Sequence, residues 1–97
     1  MRPVKRIEIV IDSLELPHLL KALEQAGVSG YTVIRDVAGM GDRGARTGDQ
    51  LSDIFKNSYM ITACAEEQVQ ALVEAIRPSL QRFGGICLVS DAQWIVH

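Results

Sequence analysis

The spacing of apolar residues changes period along the first third of the chain. In residues 4–12, Ile7, Ile9 and Ile11 fall on every second position and therefore share one face, which predicts a half-buried β-strand. The following leucines are spaced three and four apart, which predicts one stripe of an amphipathic helix: Leu16, Leu19, Leu20 and Leu23. Gly27 is suited to end this helix in the left-handed conformation.

Two further strands flank a segment with no clear period. Residues 31–38 and 58–64 are rich in β-branched and aromatic residues and predict the second and third strands. Residues 39–57 carry four glycines, mixed charges and scattered apolar residues. So long a connection in a small domain is uncommon and is usually functional or disordered.

The last third of the chain repeats the order of helix and strand. A helical stripe runs from Val69 to Phe83, and we expect Pro78 to kink or locally break that helix. Residues 86–90 predict a fourth strand, and residues 93–96 a short fifth segment after an Asp-Ala turn.

This order of elements predicts the fold class. A β-α-β unit, a long loop and a second β-α-β unit give a ferredoxin-like α+β sandwich, βαββαβ, with both helices on one face of the sheet. We expect one domain over residues 1–97. Val4 and Val10 of the first strand, with Ile34 or Val37 of the second, could make the face without helices apolar. A homo-oligomer that packs sheet against sheet would cover that face.

Composition and charge exclude several function classes. Hydrophobic residues make up 47% of the 97 residues and charged residues 23%, which is typical of a globular domain rather than a disordered chain. A net charge of -2 argues against nucleic acid as a partner. No apolar run approaches the ~18–20 residues of a membrane span, so we expect a soluble, cytoplasmic protein with no membrane insertion. The few cysteines and histidines have no metal-ligand spacing: Cys64, Cys87, His18 and His97.

Glycine and arginine supply the candidate chemistry. Residues 39–44 read G-x-G-x-x-G, but Gly48 disfavours the helix that a dinucleotide-binding fold requires, and Ala45 stands where a P-loop needs lysine. These glycines either keep the loop flexible or let the backbone approach an anionic ligand closely. Arg43, Arg46 and Arg82 lie beside glycine-rich turns, as suits binding of phosphate or carboxylate. No catalytic constellation is present in the sequence.

Two motifs resemble the PII signalling family. Residues 27–33 read G-V-S-G-Y-T-V and residues 39–41 read G-M-G, which is similar to the family pattern G-V-x-G-M-T-V followed by G-F-G. Residues 67–76 resemble the family's second helix, and the likeness extends from Val4 to about Val89. The resemblance implies a ferredoxin-like homotrimer that binds adenine nucleotides in clefts between subunits. It also implies that residues 39–57 form the T-loop, which docks on a transporter or enzyme.

Departures from the family pattern limit which nucleotides we expect to bind. Asp42 stands where the family has a phosphate-binding arginine, and Gly85 stands where it has the lysine of the B-loop. The T-loop carries no tyrosine, so uridylylation is not supported. The resemblance therefore implies ADP or AMP rather than ATP. It is strongest to the divergent PII-like branch of inorganic carbon uptake and carboxysomes, which implies a link to bicarbonate.

The resemblance also assigns the nucleotide site. Ten residues are assigned, from the adenine end to the phosphate end: Thr32, Ala63, Gly39, Met40, Gly41, Gly84, Gly85, Arg43, Arg46 and Arg82. We expect a sensor without turnover, metal or required cofactor. Two alternatives remain open, namely a small hydrolase of nucleotide or acyl phosphate on the same fold, and a structural trimer resembling the divalent-cation-tolerance family.

Overall fold

The computed structural model describes residues 1–38 and 56–97, and the predicted order βαββαβ is confirmed there. In chain order the elements are β1 (Arg2–Asp12), a 3-10 turn (Ser13–Glu15), α1 (Leu16–Gln25), β2 (Thr32–Val37), β3 (Asn57–Cys64), α2 (Glu66–Phe83) and β4 (Ile86–Trp94). The first three strands begin and end within two residues of their predicted bounds.

The four strands form one antiparallel sheet in the order β2-β3-β1-β4. β1 lies at the centre, where Ile9 is opposite Met60 of β3 on one side and Cys87 of β4 on the other. Because directly opposite residues share a face, these three side chains point to the same side of the sheet. That side carries the core.

The core lies between this face of the sheet and the two helices. Its largest fully buried apolar side chains come from two strands and both helices: Ile7, Ile9, Leu19, Leu23, Met60, Leu72 and Ile76. The leucine stripe predicted for the first helix is thus confirmed, with Leu20 packed at its margin. Ser79 of α2 donates a hydrogen bond to Glu15 (2.7 Å), which ties the second helix to the 3-10 turn.

The turn and the fifth segment predicted for the last third of the chain are wrong. The expected turn at Asp91-Ala92 does not form, because β4 continues to Trp94 opposite β1, and Asp91 pairs with Lys5. There is consequently no fifth segment at residues 93–96 among the described residues. Of the two effects expected at Pro78, the break does not occur, because α2 runs through this exposed residue to Phe83, and the kink stays a prediction.

The opposite face of the sheet, here called the open face, has no helix over it within the described residues. It exposes about half of four large apolar side chains: Ile34, Ile86, Leu88 and Trp94. A polar row crosses it between them, in which Tyr59 donates to Glu8 (2.8 Å) and Arg6 donates to Ser90 (3.2 Å). The hydrogen bond to Glu8 raises the pKa of Tyr59.

A candidate ligand cleft at the start of the central strand

A cleft of about 770 Å³ lies where β1 begins, β3 ends and residues 27–32 connect α1 to β2. Thr32 and Ala63, the two residues assigned to the adenine end, both line it. Ala63 is directly opposite Arg6, and Thr32 is opposite Ile61 of the same strand, so both lie on the open face. The structure thus brings together two residues that are far apart in sequence.

Aromatic rings and guanidinium groups also line this cleft. Tyr31 and Trp94 are each about half exposed there, at 46% and 48%. Arg2, opposite Trp94, and Arg6 supply two guanidinium groups, of which that of Arg6 also forms an ion pair with Glu8 (3.7 Å). Flat apolar walls with nearby guanidinium groups suit a planar ring that carries an anionic group. Sequence reasoning missed both arginines, although their spacing of four along β1 places them on the same face.

The segment 27–32 is fixed to the elements around it. Its entry is set by the end of α1, where Gly27 has a φ of 80° and its N–H donates to the Glu24 carbonyl (3.0 Å). Val28 is buried and donates to the Leu23 carbonyl (2.9 Å). This pair of bonds with a left-handed glycine is the usual way to end a helix, so the helix end predicted at Gly27 is confirmed.

Two side chains hold carbonyl groups of the same segment. The Thr62 hydroxyl donates to the Gly30 carbonyl, and Thr62 itself is buried in β3. The Gln68 amide donates to the Gly27 carbonyl through Nε2 (2.9 Å). The cleft wall formed by residues 27–32 is therefore attached to α1, β3 and α2.

The second glycine pair lies elsewhere in the fold. The Gly84 N–H donates to the Leu80 carbonyl (2.9 Å) and ends α2, so this amide is already used within the protein. A side chain at Gly85 would place its Cβ 2.3 Å from the Val10 carbonyl oxygen. Helix termination and close approach to β1 thus give both glycines a structural role, and a contact with phosphate stays a prediction.

Among the described residues, the predicted phosphate contacts lie apart from the adenine residues within one chain. Gly84, Gly85 and Arg82 are not among the residues lining the cleft. Arg82 instead places its guanidinium over the Phe83 ring, 5.2 Å from the centroid. The remaining five assigned residues lie outside the described residues and stay predictions: Gly39, Met40, Gly41, Arg43 and Arg46.

Other candidate chemistry is limited in the described ranges. Residues 1–38 and 56–97 hold no group of three or more His, Cys, Asp or Glu side chains placed to bind a metal ion. Cys64 and Cys87 are free thiols, and burial raises the pKa of both, which favours the unreactive protonated form. In the same ranges, neither helix has the length and apolar character to cross a membrane.

Together these features define a ferredoxin-like α+β protein with a cleft at the start of its central strand, lined in part by Gly27 and Gly30. The family described as nitrogen regulatory protein P-II matches residues 4–96, and the chain belongs to that family. No curated protein sequence matches.

Three solved structures of the nitrogen regulatory PII-like protein CPII from Thiomonas intermedia K12 are similar to this chain. The one bound to ADP, AMP and bicarbonate is 27% identical with a TM-score of 0.80, over 95% of this chain and 88% of that chain. The one bound to ADP and bicarbonate is 32% identical with a TM-score of 0.81, over 95% and 88%. The one bound to ADP, AMP and acetate is 26% identical with a TM-score of 0.82, over 98% and 91%. These neighbours agree with the divergent PII-like branch indicated by the sequence.

Proposed function

We propose that this protein is a regulatory sensor that binds ADP or AMP in clefts shared between the subunits of a homotrimer. The observation that carries the proposal is the cleft lined by Thr32 and Ala63, in a fold whose relative CPII holds ADP and bicarbonate. The adenine ring would lie between the aromatic and apolar walls. Arg2 and Arg6 add positive charge at the same cleft.

The separation of the assigned residues supports a site made by two copies. Thr32 lies on edge strand β2, whereas Gly85 immediately precedes the opposite edge strand β4. Three strand spacings separate those edges, about 14 Å across the sheet. A second copy could present its glycine pair to the adenine residues of the first. Each subunit, as a single domain over residues 1–97, would then contribute to two sites.

The open face supports the assembly that this arrangement needs. Ile34, Ile86, Leu88 and Trp94 expose about half of their surface, and a chain of 97 residues has a small core of its own. Packing three such faces together would remove apolar surface from water. We therefore propose a homotrimer with the sheets at its centre.

The preference for ADP or AMP follows from charge at the phosphate end. Asp42 and Gly85 replace two cations of the family pattern, which weakens binding of a third phosphate. Bicarbonate is proposed as a second ligand because CPII binds it together with ADP. The output would be a T-loop at residues 39–57 that docks on a transporter or enzyme of inorganic carbon metabolism in the cytoplasm, including carboxysome-associated systems.

Titration calorimetry with ADP, AMP and ATP, each with and without bicarbonate, tests this proposal. Ala63→Leu should weaken ADP by about tenfold or more because leucine fills the cleft beside Thr32. Ala71→Leu is the matched control, since Ala71 is exposed on α2 and does not line the cleft. Wild type that binds no nucleotide, or Ala63→Leu that binds as wild type does, would contradict the proposal.

A phosphate-release assay on the same samples separates the sensor from the hydrolase alternative. A sensor should bind ADP and return it unchanged. Sustained release of phosphate that Ala63→Leu abolishes would instead favour a nucleotide hydrolase at this cleft.

A further inference from the structure

The side-chain amide of Gln68 forms hydrogen bonds in two directions at the edge of the cleft. Its Oε1 accepts from the Ala65 N–H (2.8 Å) at the start of α2. Its Nε2 donates to the Gly27 carbonyl (2.9 Å), 41 residues earlier in the chain. One half-buried side chain thus links the beginning of a helix to the first residue of segment 27–32.

The chemistry of the two partners fixes the orientation of this amide. A backbone N–H can only donate, so it must face the amide oxygen, and a carbonyl can only accept, so it must face the NH2 group. Reversing the amide would place two donors together at Ala65 and two acceptors together at Gly27. Glutamine is the side chain of this length that satisfies both partners.

The second bond bears on the cleft because Gly27 sets the position of the wall. Gly27 has a φ of 80°, and a Cβ there would lie 3.4 Å from Gln68 Nε2, so the two residues are in close contact. Three residues later, the Gly30 carbonyl is held by Thr62. Between the two attachments the backbone has little freedom to move relative to β3, which carries Ala63.

We propose that Gln68 is a positioning residue for the nucleotide cleft. Its hydrogen bond to the Gly27 carbonyl fixes the position of residues 27–32 relative to β3, so that Thr32 and Ala63 face the same ligand. For its ligand, this inference rests on the proposed function. The hydrogen bond from Gln68 to the Gly27 carbonyl is present without ligand, so its effect on residues 27–32 can be measured without ligand.

Three substitutions separate positioning from helix stability and from charge. Gln68→Glu keeps an oxygen for the Ala65 N–H and adds a favourable charge at a helix N-terminus, but opposes the Gly27 carbonyl with a carboxylate. Gln68→Met is neutral and similar in length, and it loses both bonds. Gln70→Glu is the control, because it makes the same charge change at an exposed position of α2 outside the cleft.

Each variant is measured by urea unfolding, by hydrogen exchange of residues 27–32 without nucleotide, and by calorimetry with ADP. We expect both Gln68 variants to exchange faster at residues 27–32 and to bind ADP about fivefold or more weakly. Gln68→Glu should unfold at a higher urea concentration than Gln68→Met, because the bond at the helix start is preserved in Gln68→Glu alone. Gln70→Glu should match wild type in exchange and in affinity.

Three results would overturn the inference. The first is wild-type exchange at residues 27–32 in both Gln68 variants. The second is wild-type ADP affinity in Gln68→Met. The third is weaker binding in Gln68→Glu alone, which would indicate repulsion of the ligand by charge. If wild type binds no nucleotide, the proposed function fails, and exchange alone decides whether Gln68 holds the segment.

Discussion

Single glycine residues show how the backbone limits what this fold accepts. Gly85 has a φ of 116° and lies against the backbone of β1, so both conformation and space exclude a side chain. Gly30 lies in the connection between α1 and β2, where a Cβ would meet nothing within 4 Å. The two positions therefore differ sharply in tolerance, although both are glycines beside predicted ligand contacts.

We expect Gly85→Ala to lower the free energy of unfolding by about 2–4 kcal/mol. The added Cβ would lie 2.3 Å from the Val10 oxygen and force β4 away from β1, in addition to backbone strain at positive φ. Gly30→Ala should change stability by about 0.5 kcal/mol or less. Urea unfolding of both variants checks this, and equal stabilities would show that the contact with Val10 does not constrain the strand.

The sequence indicated where glycines cluster but not what each one does. A glycine that ends a helix, one that lets two strands approach and one that admits a phosphate share the same absence of Cβ. Only the structure shows that the Gly84 amide is already bonded to Leu80. Gln68 was missed for a related reason: the usual capping pattern begins with Ser or Thr, and Ala65 occupies that position.

At the scale of elements, α2 is the clearest case in which packing prevails over local preference. Pro78 cannot donate to the carbonyl four residues earlier, and its ring crowds that turn. The helix nevertheless continues to Phe83, because buried residues lie on both sides of the proline, Ile76 before it and Ser79 after it. Tertiary contacts thus hold a turn that the local sequence opposes.

Pro78→Ala should raise the free energy of unfolding by about 1–3 kcal/mol, since alanine restores the missing bond in an exposed helix interior. Pro17→Ala is the control, because Pro17 lies in the first turn of α1, where proline costs little. Its effect should be about 0.5 kcal/mol or less. Thermal unfolding followed by circular dichroism measures both, and no gain from Pro78→Ala would indicate that the native helix has fully adapted to proline.

The elements that the sequence predicted well are those in which one pattern acts alone. Ile7, Ile9 and Ile11 fall on every second position, and all three lie in β1 as predicted. β4 was divided wrongly because Asp91-Ala92 resembles a turn when read locally. Asp91 instead pairs with Lys5, which is 86 residues away, and no pattern within β4 reveals that pairing. Cross-strand pairs of this kind are the information that a single sequence lacks.

At the scale of the whole molecule, the open face carries four large apolar side chains that no helix covers among the described residues. Its side chains lie on β4 and β2 at both edges and are interrupted by the row from Tyr59 to Ser90. This combination of apolar and polar side chains suits an interface between folded copies of the chain. Burial of the apolar side chains would supply the free energy of association, and the polar pairs would fix how the copies align.

Leu88→Lys should shift the protein from trimer to monomer in light scattering at micromolar concentration, because it places a charge among the apolar side chains of the open face. Leu14→Lys is the control, since Leu14 is 84% exposed on the 3-10 turn rather than on the sheet. The control should remain trimeric. Trimers in both variants would show that assembly does not use this face, and monomeric wild type would exclude the shared cleft altogether.

In the proposed trimer, a nucleotide would contact Thr32 of one copy and Gly85 of another, because these residues lie at opposite edges of the sheet. A ligand that needs both edges binds only associated copies, so mass action ties its occupancy to the abundance of the chain itself. At a given nucleotide concentration, a cell with little of this protein would have a smaller fraction of its sites occupied. Nucleotide binding and subunit association would then strengthen each other. The occupancy of the site would depend jointly on the concentration of the protein and on the concentration of nucleotide.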